Sequence, residues 1–141
     1  MIGYAESNVF TAREVSLLRR ATRLVESVGA HQAVIRCHEL ARAVSGVLDL
    51  PVEDGFYGHV EHSWLWTEPV DPTRPRSLTR VGFPNILDVY SVGQLPQVRL
   101  IDGRHPQLPH VGWAYRPTSP RTDIDQSFVE ALVREMATAH G

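Results

Sequence analysis

The sequence predicts an α+β domain in which two amphipathic helices lead, short strands follow and a third helix closes. Apolar residues recur at helical spacing over 12–28 and again from about 36 to 50. Aromatic and aliphatic residues then alternate through 56–67, 85–92 and 97–101. Helical spacing returns after Asp123 and Asp125. Strands grouped between helices, rather than alternating with them, favour a small antiparallel sheet.

The first helix opens on a capping box. The Thr11 hydroxyl is placed to accept from the backbone three residues on, and the Glu14 carboxylate to reach back. Val15, Leu17, Leu18, Ala21, Leu24, Val25 and Val28 make its apolar face, and Arg19, Arg20 and Arg23 its solvated one. Gly29 ends it. The second helix starts at Arg36 or Cys37, carries Leu40, Ala41, Val44, Val47 and Leu48, and stops before Pro51. Cys37 thus falls in or just before a first turn.

Residues 56–67 read as one strand with Val60, His62, Trp64 and Trp66 on one face. The stretch 68–84, with Pro69, Pro72 and Pro75, reads as a loop or hairpin tip. A second strand over 85–92 puts Ile86, Asp88 and Tyr90 on one face, and 97–101 supplies a third. Prolines interrupt 105–120, leaving room for one short strand at 111–115. The closing helix, about 125–139, has Phe128, Ala131, Leu132, Glu135 and Met136 on its inner edge.

A chain of 141 residues can bury a core without disulfides, and it reads as one domain with its core at about 30–102. The formal net charge of −2 argues against a protein built mainly for nucleic acid or an acidic membrane. No apolar run approaches the roughly 18 residues of a membrane span, and the first ten residues lack a basic-then-apolar leader, so a cytoplasmic location is expected. A single cysteine excludes an internal disulfide framework and a multi-thiolate zinc site. All 14 basic residues are arginine. Coding bias in a GC-rich genome explains this, as would avoidance of lysine modification by an acyl-transferring enzyme.

Cys37, His62 and Asp88 are the constellation that could carry chemistry. A thiol attacks a carbonyl efficiently only as thiolate, which needs a neighbouring imidazole and the positive end of a helix. The imidazole in turn needs an acceptor on its other nitrogen. Placing His62 opposite Asp88 in an antiparallel pair centres the connection on Pro75, inside the proline-rich stretch. Asp88 lies among Ile86, Leu87, Val89 and Tyr90, where a carboxylate demands a partner.

The motifs Arg36-Cys37-His38-Glu39-Leu40-Ala41, His62-Ser63-Trp64-Leu65 and Ile86-Leu87-Asp88-Val89-Tyr90 resemble the transglutaminase-like branch of the papain-like thiol enzymes. The order Cys, His, Asp agrees, and the resemblance covers about 32–92. Arg36 departs from it, since a small or aromatic residue often precedes the cysteine there. The resemblance implies a papain-like core in which the helix bearing Cys37 packs on the sheet. It implies acyl transfer through a thioester on a peptide or protein substrate, with no cofactor. Hydrolysis, deamidation and cross-linking all remain open. Gln32 resembles the glutamine that completes an oxyanion hole upstream of the nucleophile. Trp64 and Tyr90 are the candidate substrate contacts, with 68–84 and 105–120 as rims of the cleft.

Other readings compete. Cys37 beside Leu40, Ala41 and Val44 could be a small buried hydrophobe, and the domain a non-catalytic protein-binding module. Cys37, His38, His59, His62 and Asp88 include enough ligands for a zinc hydrolase. Positions 59 and 62 of a strand point to opposite faces, however, so no metal is expected. His38 points about 100° from Cys37 on a helix and is expected at the surface. Phe56, Tyr57, Trp64 and Trp66 with Arg74, Arg76 and Arg80 could meet nucleic acid, but strand aromatics and the acidic charge argue against it. The oligomeric state is left open.

Overall fold

The computed structural model describes residues 10–29, 35–69, 84–92, 95–102, 107–108 and 113–140. In chain order the elements are α1 (Ala12–Ser27), α2 (Cys37–Leu48), β1 (Val52–Tyr57), β2 (Val60–Trp66), β3 (Ile86–Val92), β4 (Leu95–Ile101), β5 (Gln107–Leu108), β6 (Trp113–Pro117) and α3 (Gln126–His140). The strands lie in the order β4-β3-β2-β1-β6-β5, and each neighbouring pair is antiparallel. Among the described residues the architecture is mixed, with three helices and one antiparallel sheet, as an α+β reading expects.

The expected single strand over 56–67 is instead a hairpin of β1 and β2. Gly58 sits at φ 63° between them, a conformation that costs glycine little. β1 escapes the alternation rule because Glu53, Asp54 and Gly55 are consecutive and all buried. The short strand expected at 111–115 lies at Trp113–Pro117, and β5 precedes it.

The capping box forms as the spacing predicts. Glu14 N–H donates to Thr11 Oγ1 at 3.1 Å, and Thr11 N–H donates to Glu14 Oε1 at 2.9 Å. Glu14 is nevertheless 4% exposed. Its carboxylate also accepts from the Thr67 hydroxyl at 2.6 Å and from Asn85 Nδ2 at 3.0 Å. One side chain thus caps α1 and anchors the end of β2 to the start of β3. Asp125 caps α3 by accepting from Phe128 N–H at 3.1 Å. The buried edge of α3 runs through Val129, Leu132 and Met136.

The two faces of the sheet bury different chemistry. Leu65, Leu87, Val89, Val98 and Leu100 face the helices and join the core of Leu18, Leu24, Leu40, Val44 and Leu132. Trp64, Trp66, Ile86 and Tyr115 form an aromatic cluster on the other face, with Tyr57 and Ile101 against it. β3 and β6 are three strand spacings apart, about 14 Å in a flat sheet. Yet the Tyr115 hydroxyl donates to Asp88 Oδ2 at 2.6 Å. The sheet is therefore curled around the aromatic cluster. Gly55 permits the closure, because a Cβ there would lie 2.0 Å from Arg116 O and 2.9 Å from the Trp64 ring.

The β2–β3 ladder differs from the register expected from sequence. Leu65 pairs with Leu87 and Trp66 with Ile86, two residues away from a His62–Asp88 pairing. The physical reason is apolar matching: the expected register would set Leu65 against Asn85 and Ser63 against Leu87. Among the described residues no helix is long and apolar enough to cross a membrane.

Replacing Glu14 by alanine removes the cap and strands Thr67 and Asn85 in the interior. We expect Glu14→Ala to lower unfolding free energy by about 2–4 kcal/mol in urea denaturation, and a loss below about 0.5 kcal/mol would contradict this account of the anchor.

Candidate active site

The β2–β3 ladder holds only at Leu65 and Trp66, so the two strands part toward His62 and Tyr90. α2 packs on the helix-facing side with its first residue, Cys37, at the mouth of that parting. A pocket of about 410 Å³ opens there, lined by Ile35, Cys37, Tyr57, Val60, Glu61, His62 and Tyr90. A second concavity of about 560 Å³ between α2 and α3 is lined by Arg42, Val129, Val133 and Arg134, among others, and lies away from Cys37 and His62.

The start of α2 is held by charge rather than by a side-chain cap. Arg36 is the N-cap residue and gives α2 no capping hydrogen bond. Its guanidinium instead donates Nε–H to Glu39 Oε1 at 2.8 Å and NH1 to Asp123 Oδ2 at 3.2 Å. Glu39 is 2% exposed and accepts the Asp125 backbone N–H at 3.1 Å. Burial pushes the Glu39 carboxyl up, but the Arg36 hydrogen bonds more than reverse this and hold it below its ordinary value. The first turn of α2 is thereby fixed to the segment entering α3. Arg36 is the centre of this tie.

His62 and Asp88 meet despite the shifted register. The His62 Nε2 lies 2.7 Å from Asp88 Oδ1, a diagonal rather than a facing contact. Asp88 is 1% exposed and sits opposite Arg99, whose NH2 is 3.8 Å from Oδ2. Its second oxygen accepts from Tyr115. Burial and the Asp88 charge push the Tyr115 phenol well above its ordinary value, which keeps it a donor. Trp64 stacks beneath His62 with ring centroids 6.2 Å apart.

With Nε2 committed to Asp88, Nδ1 is the nitrogen left for the sulfur. Burial pushes the Cys37 thiol up, yet the adjoining imidazoles of His38 and His62 outweigh it and bring the pKa from 9.0 to about 6. Burial pulls His62 down, and the hydrogen bonds to Asp88 and Cys37 outweigh that, raising it from 6.5 to about 10. Between those values the pair is a thiolate facing an imidazolium, the form of a thiol that attacks carbonyl carbon.

Cys37, His62 and Tyr90 line one pocket. Asp88 lies behind His62, as its 2.7 Å contact requires. Trp64 is fully buried and offers a substrate no surface, so it supports the imidazole from below. Gln32 lies outside the described residues, as do most of the expected rims. His38 is not at the surface: it is 6% exposed, with Nδ1 2.7 Å from Ser63 Oγ. Side chains in a first turn lean toward the N-terminus, and α2 lies against β2, so the direction away from the sulfur leads into the sheet. His59 falls in the turn before β2, and among the described residues no three His, Cys, Asp or Glu are grouped to hold a metal ion.

Tyr115, Arg99 and the tie at Arg36 escape sequence reading. The signal for Tyr115 is weak, since it comes from a proline-interrupted stretch. It reaches Asp88 only because the sheet curls.

Alkylation of Cys37 by iodoacetamide should rise with pH through an inflection near 6 and then stay level to about pH 10. Below pH 6 Cys37 is a neutral thiol, and the rate should fall about tenfold per pH unit. An inflection near 9 would mean that the sulfur has no imidazole partner.

No protein-family model matches the chain, and no curated protein or solved structure matches it.

Proposed function

We propose that this protein is a thiol-dependent acyl-transfer enzyme with a transglutaminase-like, papain-like core, acting on an amide of a peptide or protein in a reducing, cytoplasmic setting. The observation that carries the reading is a helix-borne, partly exposed Cys37 beside His62, whose far nitrogen is held by the buried Asp88. The order of the three residues along the chain, one on α2 and the others on β2 and β3, supports the same assignment.

The Cys37 thiolate adds to the amide carbon while the carbonyl π pair moves onto oxygen. That oxyanion lies near the Cys37 N–H, which as the first helical amide has no intrahelical acceptor and sits at the positive end of α2. The C–N bond then breaks, and the departing amine takes the Nδ1 proton of His62. A Cys37 thioester and a neutral imidazole remain. Water adds to the thioester carbonyl as His62 takes its proton, and collapse releases the acid and regenerates thiolate and imidazolium. An amine in place of water gives a new amide instead. Asp88 keeps the imidazole oriented throughout, and Tyr115 keeps Asp88 in place.

The test is acyl-enzyme formation. Incubation with 4-nitrophenyl acetate should yield a mass increment of one acetyl group on Cys37, followed by turnover. Cys37→Ala should abolish both. Asp88→Asn should keep the thiol but cut turnover by about 10²–10⁴-fold, since the imidazole loses its orientation. A folded protein that forms no thioester and turns over neither this ester nor a panel of peptide amides is a binding module, and the proposal fails.

A further inference from the structure

Two imidazoles adjoin the Cys37 sulfur, and the reading of Cys37 as nucleophile uses one of them. His38 Nδ1 lies 3.8 Å from Sγ. The same nitrogen lies 2.7 Å from the Oγ of Ser63, which is fully buried. Ser63 in turn donates its hydroxyl to Asp54 Oδ1 at 2.6 Å. Asp54 is buried, and its other oxygen accepts from Arg42 NH2 at 2.6 Å and from the Arg121 backbone N–H at 2.9 Å. Arg42 also donates NH1 to the His38 carbonyl at 3.1 Å, so one guanidinium holds both ends of the chain.

The direction of this chain follows from its far end. Burial pushes the Asp54 carboxyl up, but Arg42, Ser63 and the Arg121 amide together hold it below its ordinary value. An ionised carboxylate only accepts, so the Ser63 hydrogen belongs to Asp54. Ser63 Oγ is then an acceptor toward His38, and the hydrogen on Nδ1 is spent on it. A ring nitrogen that carries a hydrogen has no lone pair free for a proton. The His38 nitrogen beside the sulfur therefore neither takes the thiol proton nor has a hydrogen left for the thiolate. His62 differs in this respect, because its Nε2 is committed to Asp88 and its Nδ1 is left for the sulfur.

We infer that Ser63, oriented by Asp54, withdraws His38 from the proton transfers at Cys37 and leaves His62 as the base. The inference rests on Cys37 being the nucleophile and adds what selects between two imidazoles beside one sulfur. Ser63 and Asp54 are positioning residues that act through His38. Without the Ser63 hydroxyl, the His38 hydrogen is free to sit on Nε2 instead. Nδ1 then presents a lone pair, the thiol proton moves from Sγ to that nitrogen, and a thiolate faces the His38 imidazolium. The titratable groups facing the sulfur are His38 on α2, Tyr57 on β1, Glu61 and His62 on β2, and Tyr90 on β3. Asp54 and Arg42 lie behind Ser63, while Arg36 and Glu39 are engaged with each other.

The experiment is the pH profile of iodoacetamide alkylation in the full chain, with folding checked by circular dichroism. His62→Gln should move the Cys37 inflection up by about two pH units, because His38 cannot stand in. His62→Gln combined with Ser63→Ala should bring it back by about one, so that at pH 7 the double variant reacts about fivefold faster than the single one. Damage to the fold would not restore reactivity, so the gain isolates the release of His38. In the parent, ¹⁵N shifts should place a hydrogen on His38 Nδ1, a readout that needs no variant. Three outcomes overturn the inference while leaving Cys37 as the nucleophile: an inflection that stays near 6 in folded His62→Gln, a folded double variant no faster than the single one, or an Nε2–H tautomer at His38. A parent inflection near 9 overturns both.

Discussion

A carboxylate placed in the interior of a sheet sets the terms for much of this molecule. Asp88 is 1% exposed, and an unpartnered ion at that depth would cost several kcal/mol. Its oxygens are met by an imidazole from β2 and a phenol from β6, with a guanidinium from β4 close by. Each partner arrives from a different strand. The demand of one charge therefore draws β6 toward β3, curls the sheet over its aromatic cluster, and leaves glycine as the residue that fits at position 55. Removing any partner would leave the others facing a charge they no longer balance, so this group behaves as a unit.

The opposite face is organised by hydrocarbon, and the candidate site lies where the two systems meet. Leu65 and Leu87 pair under the helices and hold β2 to β3 at one end only. Beyond them the strands separate, and the first turn of α2 faces the opening. The imidazole of His62 and the sulfur of Cys37 come from opposite sides of the sheet. A continuous ladder would have kept them apart, which gives the short pairing a positive role.

Local signals in the sequence carried the helices. The Thr11–Glu14 box, Cys37 at the head of α2 and the Asp125 cap all depend on residues within four positions of one another. The meeting of His62 and Asp88 could be argued from strand alternation and the cost of burying Asp88. The facing register could not, because apolar matching of Leu65 with Leu87 outweighed the symmetry of the turn. β1 was hidden because three consecutive residues, Glu53, Asp54 and Gly55, are buried and break the alternation by which a strand is read. His38 looked solvated because helix geometry gives a side chain's bearing but not what occupies that bearing. Tyr115 was illegible for a related reason: its contact with Asp88 exists only after the sheet has bent.

Cys37 has a consequence beyond its place in the pocket. It is partly exposed, it favours the thiolate near neutrality, and it is the chain's single cysteine. Those properties also favour attack by peroxide, which converts a thiolate to a sulfenic acid. Many oxidant-sensitive proteins shield that species with a second, resolving cysteine, and this chain has none. Recovery from mild oxidation must therefore draw on a thiol from outside, such as glutathione, and a depleted thiol pool would carry the sulfur on to the sulfinic state.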